Sequence, residues 1–441
     1  MRLLRYGTSA WRDYVASLPR ASAPAPRVER AVAAILRDVR SNGDSALVRL
    51  TRRFDGVRVT TSRLRVPPAE IRVQARRAAP KVVAALREMA RRIETYHRRQ
   101  LDRGFRLRVK GGGVLDEVVS PLDSVGLYVP GGAAAYPSSV LMSAIPARVA
   151  GVPLIVVATP PRTLEVNPAV AAAIVVAGVE GQVFRVGGAQ AVAALAYGTR
   201  TIPAVAKIVG PGNAYVAAAK RQVRGVVEID HEAGPSEVVI LADESADPGW
   251  VAADLLAQAE HGSGDETVVL VSPSRAFAEE AAGLVSFGVG SVANALHARR
   301  ALERNGAIVL VRDVEEGVAA VNFLAPEHAE VMTRRAASVA RRIVAGAVFV
   351  GNYSPVAVGD YGIGPNHVLP TGGAARYASP LSVRDFQRRQ SRVHLSAAGL
   401  RRIAGGVVEV ARAEGFVGHA QSVLTRVAGG RDVSVGTRRV R

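Results

Sequence analysis

From about residue 123 onward, short runs of Val and Ile recur between Gly-rich turns and Ala-rich stretches of helical length: SVGLYV, LIVVAT, QVFRVGG, KIVG, EVVILAD and TVVLVS. Apolar runs of this length that do not alternate with polar residues read as strands buried on both faces. Separated by helix-length segments rather than tight turns, they predict an α/β fold with mostly parallel sheets. The chain is 49% hydrophobic but only 5% aromatic, so its core is built from Ala, Val, Leu and Ile. At 441 residues it is too long for one simple core, which predicts two or more domains. A weak internal repeat points the same way. SVGLYVPGG, a helix and LIVVATPP have the layout of EVVILADES, a helix and TVVLVSPS. Residues 27 to 54 and 69 to 103 carry apolar positions at three- and four-residue spacing and read as amphipathic helices. Beyond residue 380 the chain reads as a small helical appendix ending in a loose tail.

The formal charge of +19 raises the possibility of nucleic-acid binding, but the excess is Arg spread along the whole chain, with lysine only at 81, 110, 207 and 220. Its most basic stretches lack the interleaved aromatics of a base-stacking surface, so no nucleic-acid partner is expected. With no cysteine, disulfides and a cysteine nucleophile are both excluded. The N-terminus has no apolar leader region and AVAAAIVVAGV is too short to span a bilayer, so a cytoplasmic protein with no membrane partner is expected.

Five stretches carry possible chemistry. In DPGWVAADLLAQAEHG, Asp247 and Pro248 start a helix, and Gln258 and His261 lie three apart at its carbonyl end. That pair reads either as half of a metal site or as the polar end of a surface helix. In NFLAPEHAEVM, Pro326 reads as the first turn of a helix, whose free N–H groups would keep His328 neutral and usable as a base beside Glu327. GDYGIGPNHVLPTGG is a candidate site-forming loop in which Asp360 is a possible oxygen ligand and His367 a possible tether. AEGFVGHA, with Glu414 and His419, reads as a helix end followed by a helix start. In KIVGPGNAYVAAAKRQV, a Gly-Pro-Gly turn leads from a strand into a helix beginning near Asn213, which aims backbone N–H groups at a phosphate or dinucleotide.

In order and spacing, these stretches together with GLYVPGGAAAYPSSVLMSAIPARVAGV, AGPSEVVILAD and AEGFVGHAQSV resemble the histidinol dehydrogenase family from about residue 25 to 425. The resemblance implies zinc- and NAD-dependent oxidation of L-histidinol to L-histidine through the aldehyde, the last step of histidine biosynthesis. It implies zinc ligands Gln258, His261, Asp360 and His419, catalytic bases Glu327 and His328, and NAD contacts Tyr128, Gln190 and Asn213. Ser236 and Glu414 would contact substrate along with Gln258, His261, His328, Asp360 and His419. It further implies a homodimer with shared active sites, to which Glu414 and His419 come from the partner.

On the same footing, the resemblance implies two incomplete Rossmann-like α/β domains with small helical N- and C-terminal extensions. The first would combine 22–127 with 237–360 and the second would span 128–236. Residues 1–21 with 361–380 would form a small extension, and 381–441 a helical domain reaching the partner's site. Absence of cysteine fits a second oxidation that proceeds by adding water to the aldehyde. Val356 stands where the family commonly has Glu, His231 and Glu232 where less polar residues are usual, and Ser143 where Asn is common. The alternatives are a related zinc- and NAD-dependent dehydrogenase of another small amino alcohol or sulfonated diol, a basic nucleic-acid binder, and a zinc hydrolase, the last lacking an HExxH motif.

Overall fold

The computed structural model describes residues 1–19, 25–131, 136–231 and 234–429. It divides into one unit formed by Met1–Leu101 with Leu122–Phe386, and a second formed by Asp102–Pro121 with Gln387–Arg441.

The larger unit contains two six-stranded sheets of matching layout. In one the order is Arg65–Val66, Val183–Arg185, Leu154–Thr159, Ser124–Tyr128, Lys207–Val209, Glu228–Ile229. In the other it is Arg2–Arg5, Gly306–Leu310, Thr267–Ser272, Glu237–Ala242, His328–Met332, Ala347–Val350. Each sheet has five parallel strands that reverse winding direction beside the central one. This is the doubly wound pattern, and it bears out the internal repeat. An upstream segment completes each sheet, pairing parallel at Arg2–Arg5 and antiparallel at Arg65–Val66. The central strands are buried on both faces as their composition requires. Val238, Ile240 and Ala242 pack into one core and Val239 and Leu241 into the other. Each such aliphatic side chain contributes about 1.5–3 kcal/mol on burial.

The N-terminal helices differ in two respects from the sequence reading. The stretch from 69 to 103 forms two helices, Pro68–Ala75 and Pro80–Arg98, because Pro80 starts a new helix where it cannot continue the old one. These two, with Pro26–Asp55, pack on the helices flanking the 124–229 sheet. The expected grouping of 22–127 with 237–360 separates these helices from the sheet they cover, and the expected extension 1–21 contains Arg2–Arg5, an edge strand of the 237–350 sheet. An amphipathic stripe states that a helix is covered, but not by which sheet.

The smaller unit is not wholly helical. Gln387–Leu395, Gly113–Pro121 and Phe105–Arg108 form an antiparallel sheet in that order, followed by two helices packed on each other, Ala397–Ala413 and Val417–Gly429. Its outer strands, QRRQSRVHL and FRLR, are almost entirely exposed, so they lack the apolar alternation that reveals a half-buried strand.

Among the described residues, no helix is long and apolar enough to cross a membrane.

Candidate active site

A cleft of about 420 Å³ in the larger unit is lined by residues from both sheets, among them Asn213, Ser236, His261, Glu327, His328 and Asp360. From the 124–229 sheet it takes the turn leaving the carboxyl end of Lys207–Val209. From the 237–350 sheet it takes the amino ends of two adjacent strands that start at Glu237 and His328.

The turn after Lys207–Val209 depends on glycine. Gly210 has φ +122°, and a Cβ there would lie 2.1 Å from the carbonyl oxygen of Tyr128. Its N–H donates to the Asp230 carboxylate at 2.7 Å, and its carbonyl accepts from the Lys220 ammonium at 3.0 Å. Lys220 and Asp230 also pair with each other, both buried, so a complete ion pair clamps the turn. Asn213 then caps the Ala214–Val223 helix, its side chain accepting from the N–H groups of Tyr215 and Val216, as the sequence predicts. Of the three expected dinucleotide contacts only Asn213 lines the cleft. Tyr128 and Gln190 are buried; the Tyr128 hydroxyl accepts from Gly188 N–H at 3.1 Å, and Gln190 sits in the first turn of the Gly188–Tyr197 helix.

Glu327 and His328 do not begin a helix. The preceding helix, Val314–Leu324, ends before Ala325, and His328 opens a strand. Ala325 has φ +48°, the one positive φ at a non-glycine position among the described residues. Backbone strain of this kind costs on the order of 1–3 kcal/mol and clusters at functional sites. Proline fits a helix start and a turn between helix and strand equally well, which is why the sequence misleads here.

His328 is nevertheless held neutral, by burial rather than by a helix terminus. Enclosure pushes its pKa below the ordinary value, against the opposing charge of Asp360. Its Nδ1 lies 2.9 Å from the carbonyl oxygen of Glu237. A carbonyl only accepts, so Nδ1 carries the proton and Nε2 is left as the basic nitrogen.

Burial likewise pushes the Glu327 carboxyl up to about 7, the hydrogen bonds from Ser236 and Glu237 acting against it and the charge of Asp360 adding to it. Its Oε2 accepts from the Ser236 hydroxyl at 2.5 Å and from the Glu237 N–H at 2.9 Å. Glu237 is a site residue that sequence reasoning missed. Its carbonyl orients His328 and its carboxylate accepts from the Glu327 N–H at 3.1 Å. A carboxylate opening an otherwise apolar strand was the available signal.

A raised carboxyl has a defined effect on stability. At pH 4 and below, Glu327 is protonated in both folded and unfolded chains and costs nothing. As pH rises to 7 the unfolded chain ionises first, so folding loses up to about 3 kcal/mol, the full loss being reached above 7. In metal-free protein, Glu327→Gln is expected to raise stability by about 1–3 kcal/mol at pH 8 and by little at pH 4.5. Urea unfolding at the two pH values tests this; an equal change at both would mean that the Glu327 carboxyl titrates normally.

The Pro248–Ala259 helix begins as predicted, with Asp247 accepting from Gly249 and Trp250. Gln258 lies in its last turn, but His261 falls just beyond the helix, in a turn whose N–H groups at Ser263 and Gly264 are held by the buried Glu266 carboxylate. Gln258 is 3% exposed, and both its amide oxygen and its amide nitrogen lack a hydrogen-bond partner. Two unpaired polar atoms at one buried side chain are costly.

Asp360 belongs to a short helix, Val356–Tyr361, rather than to an open loop. His367 tethers the following loop as expected, its Nδ1 donating to the Asp360 carbonyl at 3.1 Å while Nε2 lies 3.3 Å from the Ser139 hydroxyl.

Glu414 and His419 belong to the smaller unit. Glu414 caps the Ala397–Ala413 helix and His419 lies in the first turn of the next, as read from sequence. Both are exposed and line a hollow with Val407, Val410 and Phe416. Among the described residues, no group of three or more His, Cys, Asp or Glu is assembled to hold a metal ion.

An enzyme whose working groups meet between two doubly wound halves is what this fold and cleft define, and relatives fix its class as an oxidoreductase. The sequence profile described as histidinol dehydrogenase matches residues 18–427. The chain belongs to the histidinol dehydrogenase family. It is 47% identical over 428 residues to the histidinol dehydrogenase of Rhizobium meliloti, covering 97% of this chain and 98% of the relative. With that of Gluconobacter oxydans it shares 50% identity over 401 residues, covering 91% and 93%. The crystal structure of histidinol dehydrogenase from Elizabethkingia anophelis superimposes with a TM-score of 0.91 at 32% identity, covering 97% of this chain and 98% of that one.

Proposed function

We propose that the protein oxidises L-histidinol to L-histidine through L-histidinaldehyde, the last step of histidine biosynthesis, with NAD and one zinc ion per subunit. The observation that carries this reading is the pairing of a neutral, oriented imidazole at His328 with a raised carboxyl at Glu327 in one cleft. The buried, unpaired Gln258 amide supports a metal beside it, since a bound ion would offset the cost of those unpaired atoms. Gln258, His261, Asp360 and His419 would hold the ion, a mixed nitrogen and oxygen set that suits Zn²⁺. When bound, zinc would supply a Lewis acid that holds substrate and NAD would supply the hydride acceptor.

The chain's own groups do the proton chemistry. His328 Nε2 takes the proton of the alcohol as the first hydride leaves carbon. Glu327 takes a proton from the water that adds to the aldehyde carbonyl, giving the hydrate from which the second hydride leaves. Ser236 and the Glu237 N–H steer the Glu327 carboxylate through the oxygen they share. In the clamped turn, Gly212 and Asn213 offer backbone N–H groups to the dinucleotide phosphates. Two NADH formed per histidinol would support the reading. No turnover with folded, zinc-loaded protein would overturn it in favour of another small amino alcohol or diol.

The protein acts as a homodimer whose sites are completed by Glu414 and His419 of the second copy. Supporting this is an exposed apolar face in the smaller unit around those two residues, which includes Val410 and Phe416. Chains carrying His261→Ala or His419→Ala are each expected to be inactive alone. Mixed and refolded together, they should regain up to about a quarter of wild-type activity, because half the dimers are mixed and each mixed dimer holds one intact site. No recovery would argue for sites built within single chains.

A further inference from the structure

Outside the groups assigned above, one pair of acids is unaccounted for. Glu330 is 1% exposed and lies two residues beyond His328 on the same strand face. Its Oε1 accepts from the Val356 N–H at 2.8 Å, the first residue of the helix that carries Asp360. Its Oε2 is buried and has no donor. The carboxyl of Asp254, one turn before Gln258 on the Pro248–Ala259 helix, lies within hydrogen-bonding reach of the Glu330 side chain. Two carboxyls hydrogen-bond only when one of them carries a proton. Asp254 is half-buried and Glu330 fully buried, so the charge belongs on Asp254 and the proton on Glu330. Burial, then the charge of Asp254, pushes Glu330 up to about 8, which agrees with that assignment.

We propose that Glu330 is a positioning residue: as a protonated acid it donates to Asp254 while accepting from Val356, and so fixes against one another the three elements that carry Gln258, His328 and Asp360. This rests on the functional reading above only for the consequence in turnover, not for the hydrogen-bonded pair itself. Glutamine is the neutral isostere of the protonated acid, because its oxygen can accept from Val356 and its amide can donate to Asp254. Leucine fills the space and makes neither bond.

Two measurements test it. Infrared difference spectra of metal-free wild type against Glu330→Gln at neutral pH should show one protonated carboxylic acid band that the variant lacks, the contribution of Glu327 cancelling between the two. Its absence would overturn the assignment whatever the protein's substrate is. Glu330→Gln should keep kcat within about threefold of wild type, while Glu330→Leu should lower it at least about tenfold with a smaller change in KM. If Glu330→Gln loses as much as Glu330→Leu, Glu330 acts by exchanging its proton and the positioning role fails. If Glu330→Leu folds and turns over like wild type, the link is idle. Should wild type fail to oxidise histidinol, the functional reading fails while the infrared result still decides the pair.

Discussion

His328→Asn is expected to lower kcat by about 10²–10⁴-fold with little change in KM. The substitution keeps a side-chain N–H able to donate to the Glu237 carbonyl, so the strand start is not left with an unpaired acceptor. What disappears is the basic Nε2. His328 already sits below its ordinary pKa through burial, so at neutral pH the wild-type ring is in its base form and the loss is complete. The pH profile separates this role from that of Glu327. Glu327 is raised to about 7, so an ascending limb near neutrality in the second oxidation belongs to the carboxyl. Glu327→Gln should abolish that limb and leave conversion of histidinol to the aldehyde largely intact. Stopped-flow measurement of the first and second NADH checks both. Equal loss of both steps in Glu327→Gln would remove the division of labour.

Gln258→Leu is expected to move stability and metal affinity in opposite directions. In metal-free protein the wild-type amide leaves two buried polar atoms unpaired, together costing on the order of 1–3 kcal/mol. Leucine of similar size removes that cost, so metal-free stability should rise by about 1–3 kcal/mol. If Gln258 is a ligand, zinc affinity should fall by at least about tenfold, and activity lost on chelation should no longer return at low zinc. Chemical denaturation and competitive zinc titration give the two numbers. A stability gain with unchanged zinc affinity would mean that Gln258 is unsatisfied for some other reason. A stability loss would mean that the amide is paired with ordered water.

Glu237 shows how far the sequence reaches into such a site. Asp247, Asn213 and the Gly-Pro-Gly turn were legible because caps and tight turns are local, satisfied within a few residues. The group that sets the tautomer of His328 is a main-chain carbonyl 91 residues away, which leaves no local trace. His328 itself was read correctly as neutral but for a different physical reason, since a proline after a helix looks in sequence like a proline before one. The exposed strands at 105–108 and 387–395 leave no trace in the sequence because an unburied strand carries no hydrophobic period.

By itself the sequence determined the strand–helix alternation, the doubling of the α/β unit, the absence of cysteine chemistry and membership of the family, all of which reside in local composition, period and long motifs. Only the tertiary structure decided which sheet the N-terminal helices cover, that both sheets complete themselves with upstream strands, and that Glu327 and His328 meet Ser236 and Glu237 at neighbouring strand starts. It also decided the protonation of those groups, because burial is summed over every element packed around a residue and no segment of chain encodes it alone.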